Sequence, residues 1–324
     1  MTQRRQRSES GGGQVQARDL ESPPIVSRGT AYFLLALVVL ILGINWPLLA
    51  TGLESISPLW LAVFRLTGGT LTVLLFAAAT GRLVRPPRQD YPIIGSVAVF
   101  RLALVFILVF GALEFVPPGR SSILVWTTSL WTVPLAAFFV DEHMDRLRWL
   151  GLIIGLGGIV LVFEPTRLDW TDGRLLLGHL MLLSAAALLA SVSVHVRHHT
   201  WASTPLALLP WQLMVAALPM LTIALLVEGI PAIDWTWQLA GIVAFQATMA
   251  SGVALWGSLT ALRTLPAITT NLTLMAIPVI GLISSAVLVG ESLTAGVIGG
   301  LILVLGGVGL NIVSDARTTV NPQV

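Results

Sequence analysis

The chain states one pattern twice, 149 residues apart, and that repeat limits its possible folds more than any other feature. Ala112-Leu113 followed by Pro117 recurs as Ala261-Leu262 followed by Pro266. At the same offset Glu142 returns as Glu291, Gly151 as Gly300 and Gly157-Gly158 as Gly306-Gly307, with Leu161 on Leu310. Ser57-Pro58-Leu59 with Arg65-Leu66 matches Thr204-Pro205-Leu206 with Gln212-Leu213 at an offset of 147. Both copies consist of long apolar segments. Two related halves built this way point to a membrane protein and, within that class, to transport.

Composition supports the first step. Hydrophobic residues make up 55% of the chain and charged residues 10%, too little charge to cover a water-soluble protein of 324 residues. The net charge of +2 is carried by Arg with no Lys, and the Arg are spread over connections rather than gathered on one face. Nucleic acid is therefore not an expected partner. The absence of Cys excludes disulfides, thiolate metal sites and Cys nucleophiles together. Residues 1–29, rich in Arg, Ser, Gln and Gly, read as a disordered cytoplasmic tail.

Helices are expected at about 30–51, 57–80, 91–113, 118–140, 148–164, 175–195, 204–227, 237–260, 267–289 and 295–313, each near the ~20 residues that cross a bilayer. Arg distribution sets the orientation. With the N-terminus inside, the inner segments hold Arg4, Arg5, Arg7, Arg18, Arg28, Arg82, Arg85, Arg88, Arg146, Arg148, Arg197, Arg263 and Arg317. The outer ones hold only Arg120, Arg167 and Arg174. That bias puts both termini in the cytoplasm. Each half then has five helices, an odd number, so the second half enters the membrane from the opposite side. The expected fold is an all-α membrane protein of ten transmembrane helices as two inverted five-helix repeats, 30–164 and 175–313, with a short tail at 314–324. Inverted halves supply two arrangements of similar energy, one open to each side, which is what alternating access requires.

The segment ALEFVPPGRSSILVWTTSLWTVPLAAFFVDEHMDRLRWLGLIIGLGGIVLV from Ala112 to Val162, and the second-half segment ALRTLPAITTNLTLMAIPVIGLISSAVLVGESLTAGVIGGLILVLGG, resemble the EamA domain of the drug/metabolite transporter superfamily. That pattern runs Ala-Leu, Pro, a small-residue helix, Gly-Glu, a short turn and a Trp-Leu-Gly helix. Here Trp149 follows Glu142 by seven residues, and the second half carries Pro278 and Gly290-Glu291. The first half departs with Asp141 before its Glu and Ser129 in place of a Pro, and Leu42 stands where helix 1 commonly carries Trp. The resemblance implies a secondary or facilitative transporter of amino acids, their derivatives or xenobiotics, often exported, in a bacterial plasma membrane. A sugar-phosphate or nucleotide-sugar carrier of the same superfamily and a non-transporting scaffold are the alternatives. An enzyme is not expected, since no nucleophile, metal cluster or carboxylate pair shares one depth.

The candidate substrate-binding residues are Arg101, Arg65, Trp126, Trp131, Asn45, Gln212, Gln246, Trp256 and Asn271. An Arg at the depth of Arg101 costs at least ~2.5 kcal/mol, so it faces a cavity or a partner. It binds an anionic substrate group or is satisfied structurally by helix-end carbonyls. Arg65 snorkels, packs or binds; its counterpart Gln212 keeps polarity without charge. The Trp residues stack on substrate or pack between helices. Asn45, Gln246 and Asn271 supply the few polar contacts of a pocket or bond neighbouring helices. Glu142 and Glu291 read as helix-end caps or as dipole partners at the start of the helix that follows. The glycines of helices 5 and 10 pack within the chain or in a homodimer. No Asp or Glu stands mid-helix, and His195, His198 and His199 make no metal set on their own. No cofactor, metal or nucleotide is expected. The partners are a small-molecule solute and the lipid bilayer.

Overall fold

Helix starts follow the local chemistry. In the computed structural model, which describes residues 26–81, 83–140, 146–164, 171–198, 202–203, 205–231, 233, 235–265 and 267–320, Ser27 opens α1 (Arg28–Leu53) by accepting from the Thr30 N–H at 3.1 Å. Pro58 sits in the first turn of α2 (Pro58–Ala79), where its missing N–H costs nothing. Thr236 caps α8 (237–264) through the Leu239 N–H at 3.1 Å. The remaining helices are α3 (Arg88–Ala112), α4 in two segments (Pro118–Trp126 and Thr128–Val140), α5 (Arg146–Phe163), α6 (Gly173–His198), α7 (Pro205–Val227), α9 in two segments (Ala267–Leu274 and Ala276–Leu288), and α10 (Ala295–Val320). No strand occurs among the described residues.

The helices run alternately between two ends of a bundle, here called proximal (where α1 begins) and distal. At the proximal end Trp211, near the start of α7, donates its indole N–H to the Val84 carbonyl beyond α2, and the start of α1 packs on Ala261 near the end of α8. At the distal end the residues following α7 and α9 meet the starts of α2 and α4. Exposed Leu, Ile, Val and Phe cover the outer surface, as expected where lipid replaces water.

Nine helices among the described residues are long and apolar enough to cross a membrane. All ten expected helices are present, and α4, which is not among those nine, breaks at Thr127 into pieces of nine and thirteen residues. Thr127 turns its hydroxyl onto the Leu124 carbonyl at 2.6 Å and its backbone N–H onto the same oxygen, tightening the turn. The partner helix α9 breaks in the same region, at Met275. One further correction concerns an end: α10 continues to Val320 instead of ending at 313, because a helix need not stop where the apolar stretch does, while α3 turns α-helical at Tyr91 as expected, after a short tighter turn at Arg88–Asp90. Residues 1–25 of the N-terminal tail, together with Asp141, Glu142, Arg167, Trp170, His199 and Pro266, lie outside the described residues.

Equivalent helices of the two halves pair closely: α2 with α7, and α5 with α10. The second pairing is made by glycine. A Cβ on Gly158 would lie 2.7 Å from the Val304 nitrogen and 2.8 Å from the Gly300 carbonyl, and one on Gly300 would lie 2.8 Å from the Gly158 carbonyl. The facing glycines are thus used inside the chain, while Gly306 looks outward with nothing within 4 Å.

One feature had no signature in the sequence. The middles of α3 and α8 are wound as π-helix, over Val97–Leu104 and Gln246–Val253. These stretches stand 149 residues apart, in register with the repeat, although VAVFRLAL and QATMASGV have little in common. π-Turns are rare and concentrate at functional sites.

Candidate functional site

A polar group is built where α2 meets the π-helical stretch of α8. Gly68 and Gly69 allow the approach: a Cβ on Gly68 would lie 2.7 Å from the Ala247 side chain, and one on Gly69 2.9 Å from Ser251. One turn earlier on α2, Arg65 donates from Nη1 to the Gln246 Oε1 at 2.8 Å. Its guanidinium carbon lies 4.8 Å from the centre of the Phe106 ring on α3, which stacks on Phe110 at 5.3 Å and 9°. The charge is thus held by an amide and an aromatic face. No carboxylate pairs with it among the described residues.

Two hydrogen-bond donors in this group have no partner. Arg65 Nε and Gln246 Nε2 are both shielded from solvent and unbonded, and Gln246 is fully buried. Arg has only donors, so the Gln246 atom facing it is the amide oxygen, which leaves the amide nitrogen as a second free donor. Leaving such groups unpaired costs about 1–3 kcal/mol each.

Arg101 lies in the other π-helical stretch, five residues before Phe106 and so roughly 7.5 Å along α3. Its side chain is exposed. Trp256 lines an apolar cavity of 160 Å³ with Thr72, Phe76, Thr248 and Gly252. A larger recess of 800 Å³ at the proximal end lies between Arg85, Tyr91 and Trp211.

The other expected residues are dispersed. Asn45 is buried on α1 with its Oδ1 unpaired, where α1 meets α9 through Gly43 and Ile280. Gln212 is buried on α7 beside Leu213, the residue that reaches Gly69. Trp131 donates to the Thr127 hydroxyl at 3.2 Å within its own helix, a packing contact. Trp126 is half-buried on α4, and Asn271 is exposed on α9, accepting at its carbonyl from Met275. The structure therefore brings Arg65 and Gln246 together, leaves Arg101 on α3 without a contact to either, and sets Trp256 farther along α8 in the apolar cavity. Phe106 was missed because one Phe in an apolar helix carries no signal of its own.

Glu291 caps a helix, though not the one that follows it. Its carboxylate crosses to the start of α4 and accepts from the Gly119 N–H at 2.6 Å and the Arg120 N–H at 3.0 Å. Burial pushes the carboxyl above its ordinary range, against the two N–H donors and the Arg120 charge, which pull it down. The Arg120 side chain pairs with Glu164 at 2.5 Å, at the end of α5. Glu228 makes the analogous distal contact to α2, accepting from the Leu59 N–H at 3.2 Å and the Ser57 hydroxyl at 2.5 Å. Among the described residues no three His, Asp or Glu side chains gather as a metal site.

Comparison with known proteins places this architecture. The chain is 28% identical over 298 residues to a "Probable amino-acid metabolite efflux pump" of Salmonella typhimurium, covering 86% of this chain and 94% of that protein. It is 26% identical over 285 residues to the uncharacterised transporter YoaV of Bacillus subtilis, covering 87% and 97%. A solved crystal structure shares the fold with a TM-score of 0.62 at 19% identity, covering 88% of this chain and 99% of that one. The profile of the EamA-like transporter family matches twice, over residues 29–164 and 176–313. With apolar helices throughout and both matches spanning nearly all of them, the chain is an integral membrane protein that belongs to the EamA-like transporter family.

Proposed function

We propose that the protein moves small organic metabolites across the plasma membrane by alternating access, with amino acids or their derivatives as the substrate class and export as the direction. The observation that carries this reading is the pair of π-helical stretches in repeat register, one bearing Arg101 and the other holding Arg65 through Gln246. A charged side chain at that depth is retained for a ligand or a hydrated path, because packing alone favours an apolar residue there. The proximal end is the cytoplasmic one, and α4 counts as a tenth crossing despite its break. Breaks in α4 and α9 supply the discontinuous helices that transporter sites commonly use. In this scheme the Glu291 and Glu228 contacts hold the distal side together, and they part when that side opens. The efflux-pump name of the Salmonella relative supports the substrate class and the direction.

A doubly charged phosphate ester is the second reading, and one observation favours it: Arg101 stands a short way along α3 from the Phe106 that holds Arg65. The test is flux into proteoliposomes of the purified protein across a panel of amino acids, other carboxylates and phosphate esters. Saturable flux of at least one solute is expected; none for any solute, with the protein folded, overturns the reading.

A further inference from the structure

Arg65 has one unsatisfied edge. A guanidinium offers paired donors along its edges, and that geometry matches the two oxygens of a carboxylate. Gln246 occupies Nη1, and the Phe106 ring covers one face. The edge carrying Nε has no protein partner, and Nε itself is closed off from solvent. Beside it the Gln246 amide nitrogen is also free, and it is rigidly placed because its own oxygen is tied to Arg65. The cluster therefore presents one uncompensated positive charge and two orphan donors, with no orphan acceptor on either residue. A single anionic planar group would neutralise all three.

The surroundings define the rest of the ligand. Thr72 and Phe76 stand seven and eleven residues beyond Arg65 on α2, which returns them to the same helix face, roughly 10 and 16 Å along. Both line the apolar cavity completed by Leu209, Thr248, Gly252 and Trp256. The apolar cavity, between α2, α7 and α8, thus lies farther along the face of α2 that carries Arg65.

We infer that Arg65 and Gln246 form a carboxylate-binding subsite for organic monocarboxylates, whose apolar body extends along α2 toward Phe76 and Trp256. The inference rests on the transport reading for its biological sense, and its test is made by binding alone. A single charge with two donors suits a monocarboxylate; a phosphate dianion would leave charge unbalanced.

The test uses the full-length protein in detergent, with 3-phenylpropanoate, its neutral isostere 3-phenylpropanamide, and glycerol 3-phosphate as probes. Binding is followed by calorimetry and by the shift in melting temperature. The acid is expected to bind the wild type and raise its melting temperature, the amide to bind at least tenfold more weakly, and glycerol 3-phosphate more weakly than the acid. Arg65→Gln and Gln246→Leu should each weaken the acid at least tenfold. Arg65→Lys, which keeps the charge and loses the paired edge, should fall between them and the wild type. Unliganded Arg65→Gln should melt no lower than the wild type, since it removes an uncompensated charge, and this keeps lost binding distinct from lost folding. The inference is overturned by wild-type affinity for the acid in a folded Arg65→Gln variant, by equal binding of acid and amide, by no binding of the acid, or by tighter binding of glycerol 3-phosphate. None of these results touches the transport reading, which is tested by solute flux through the wild type.

Discussion

Two adjacent glycines of α10 offer a test of how the two halves are joined. Gly307 faces α5: a Cβ there would press on the Gly151 carbonyl oxygen and lie 2.8 Å from the Gly155 nitrogen and 2.9 Å from its Cα. All three are backbone atoms, so no side chain can swing aside. Restoring the Gly155 nitrogen to ordinary contact, from 2.8 to 3.4 Å, needs α5 and α10 to part by 0.6 Å along the whole seam that Gly158 and Gly300 continue. Overpacking of this kind costs about 1–3 kcal/mol. Gly306 has nothing within 4 Å. Replacing Gly by Ala inside a helix is intrinsically favourable by about 0.5–1 kcal/mol, and that gain is common to both positions. It cancels in the comparison, so Gly307→Ala should be less stable than Gly306→Ala by about 1–3 kcal/mol. Reversible unfolding in mixed micelles, titrated with a denaturing detergent, measures the difference. Equal stability of the two variants would refute the proposed glycine seam between the repeats.

Three further outcomes follow from other parts of the molecule. Burial raises the Glu291 carboxyl above its ordinary value of 4.5, so the folded protein holds that proton more tightly than the unfolded chain. The associated stability is fully present below the unfolded value and is lost as pH rises through the folded one. Melting curves of wild type and Glu291→Gln, taken from pH 7 down to 4.5, should show the gap moving in favour of the wild type; a constant gap contradicts the assignment. Because the chain has no Cys, single substitutions report orientation cleanly. Ser55→Cys at the distal end should react with an impermeant maleimide on intact cells, and Thr80→Cys at the proximal end only after permeabilisation; the reverse pattern would invert the topology. Arg101→Ala should lower flux of anionic substrates at least tenfold while leaving the melting temperature within a few degrees, and unchanged transport of every anionic substrate would remove Arg101 from the pathway.

Scaffold and site differ in how far the sequence discloses them. The glycines at 151, 158, 300 and 307 stand out because close helix approach admits little else, and the repeat offset pairs them before any coordinates exist. Arg65 and Arg101 stand out because charge is costly at their depth. That Arg65 meets Gln246 is not legible, since it depends on Gly68 and Gly69 admitting α8 and on the extra residue per turn of the π-helix. Hydropathy does not distinguish a π-turn from an α-turn in an apolar run, so the symmetric pair at 97–104 and 246–253 stays hidden. The break in α4 was also hidden, because Thr127 alone does not announce a helix end. Glu291 was recognisable as a cap, but its target, α4 rather than α10, depends on which helix start tertiary packing brings to the carboxylate.

The central claim, that two inverted halves expose one site alternately to the two sides of the membrane, is tested most directly by counterflow. Proteoliposomes loaded with an unlabelled substrate found in the flux panel are diluted into a trace of the labelled compound. Alternating access predicts that label accumulates transiently above its external concentration and then relaxes, because unlabelled solute competes with the label for the site facing the lumen and so slows its exit until the unlabelled gradient decays. Simple equilibration without an overshoot, at any internal concentration, would contradict the account.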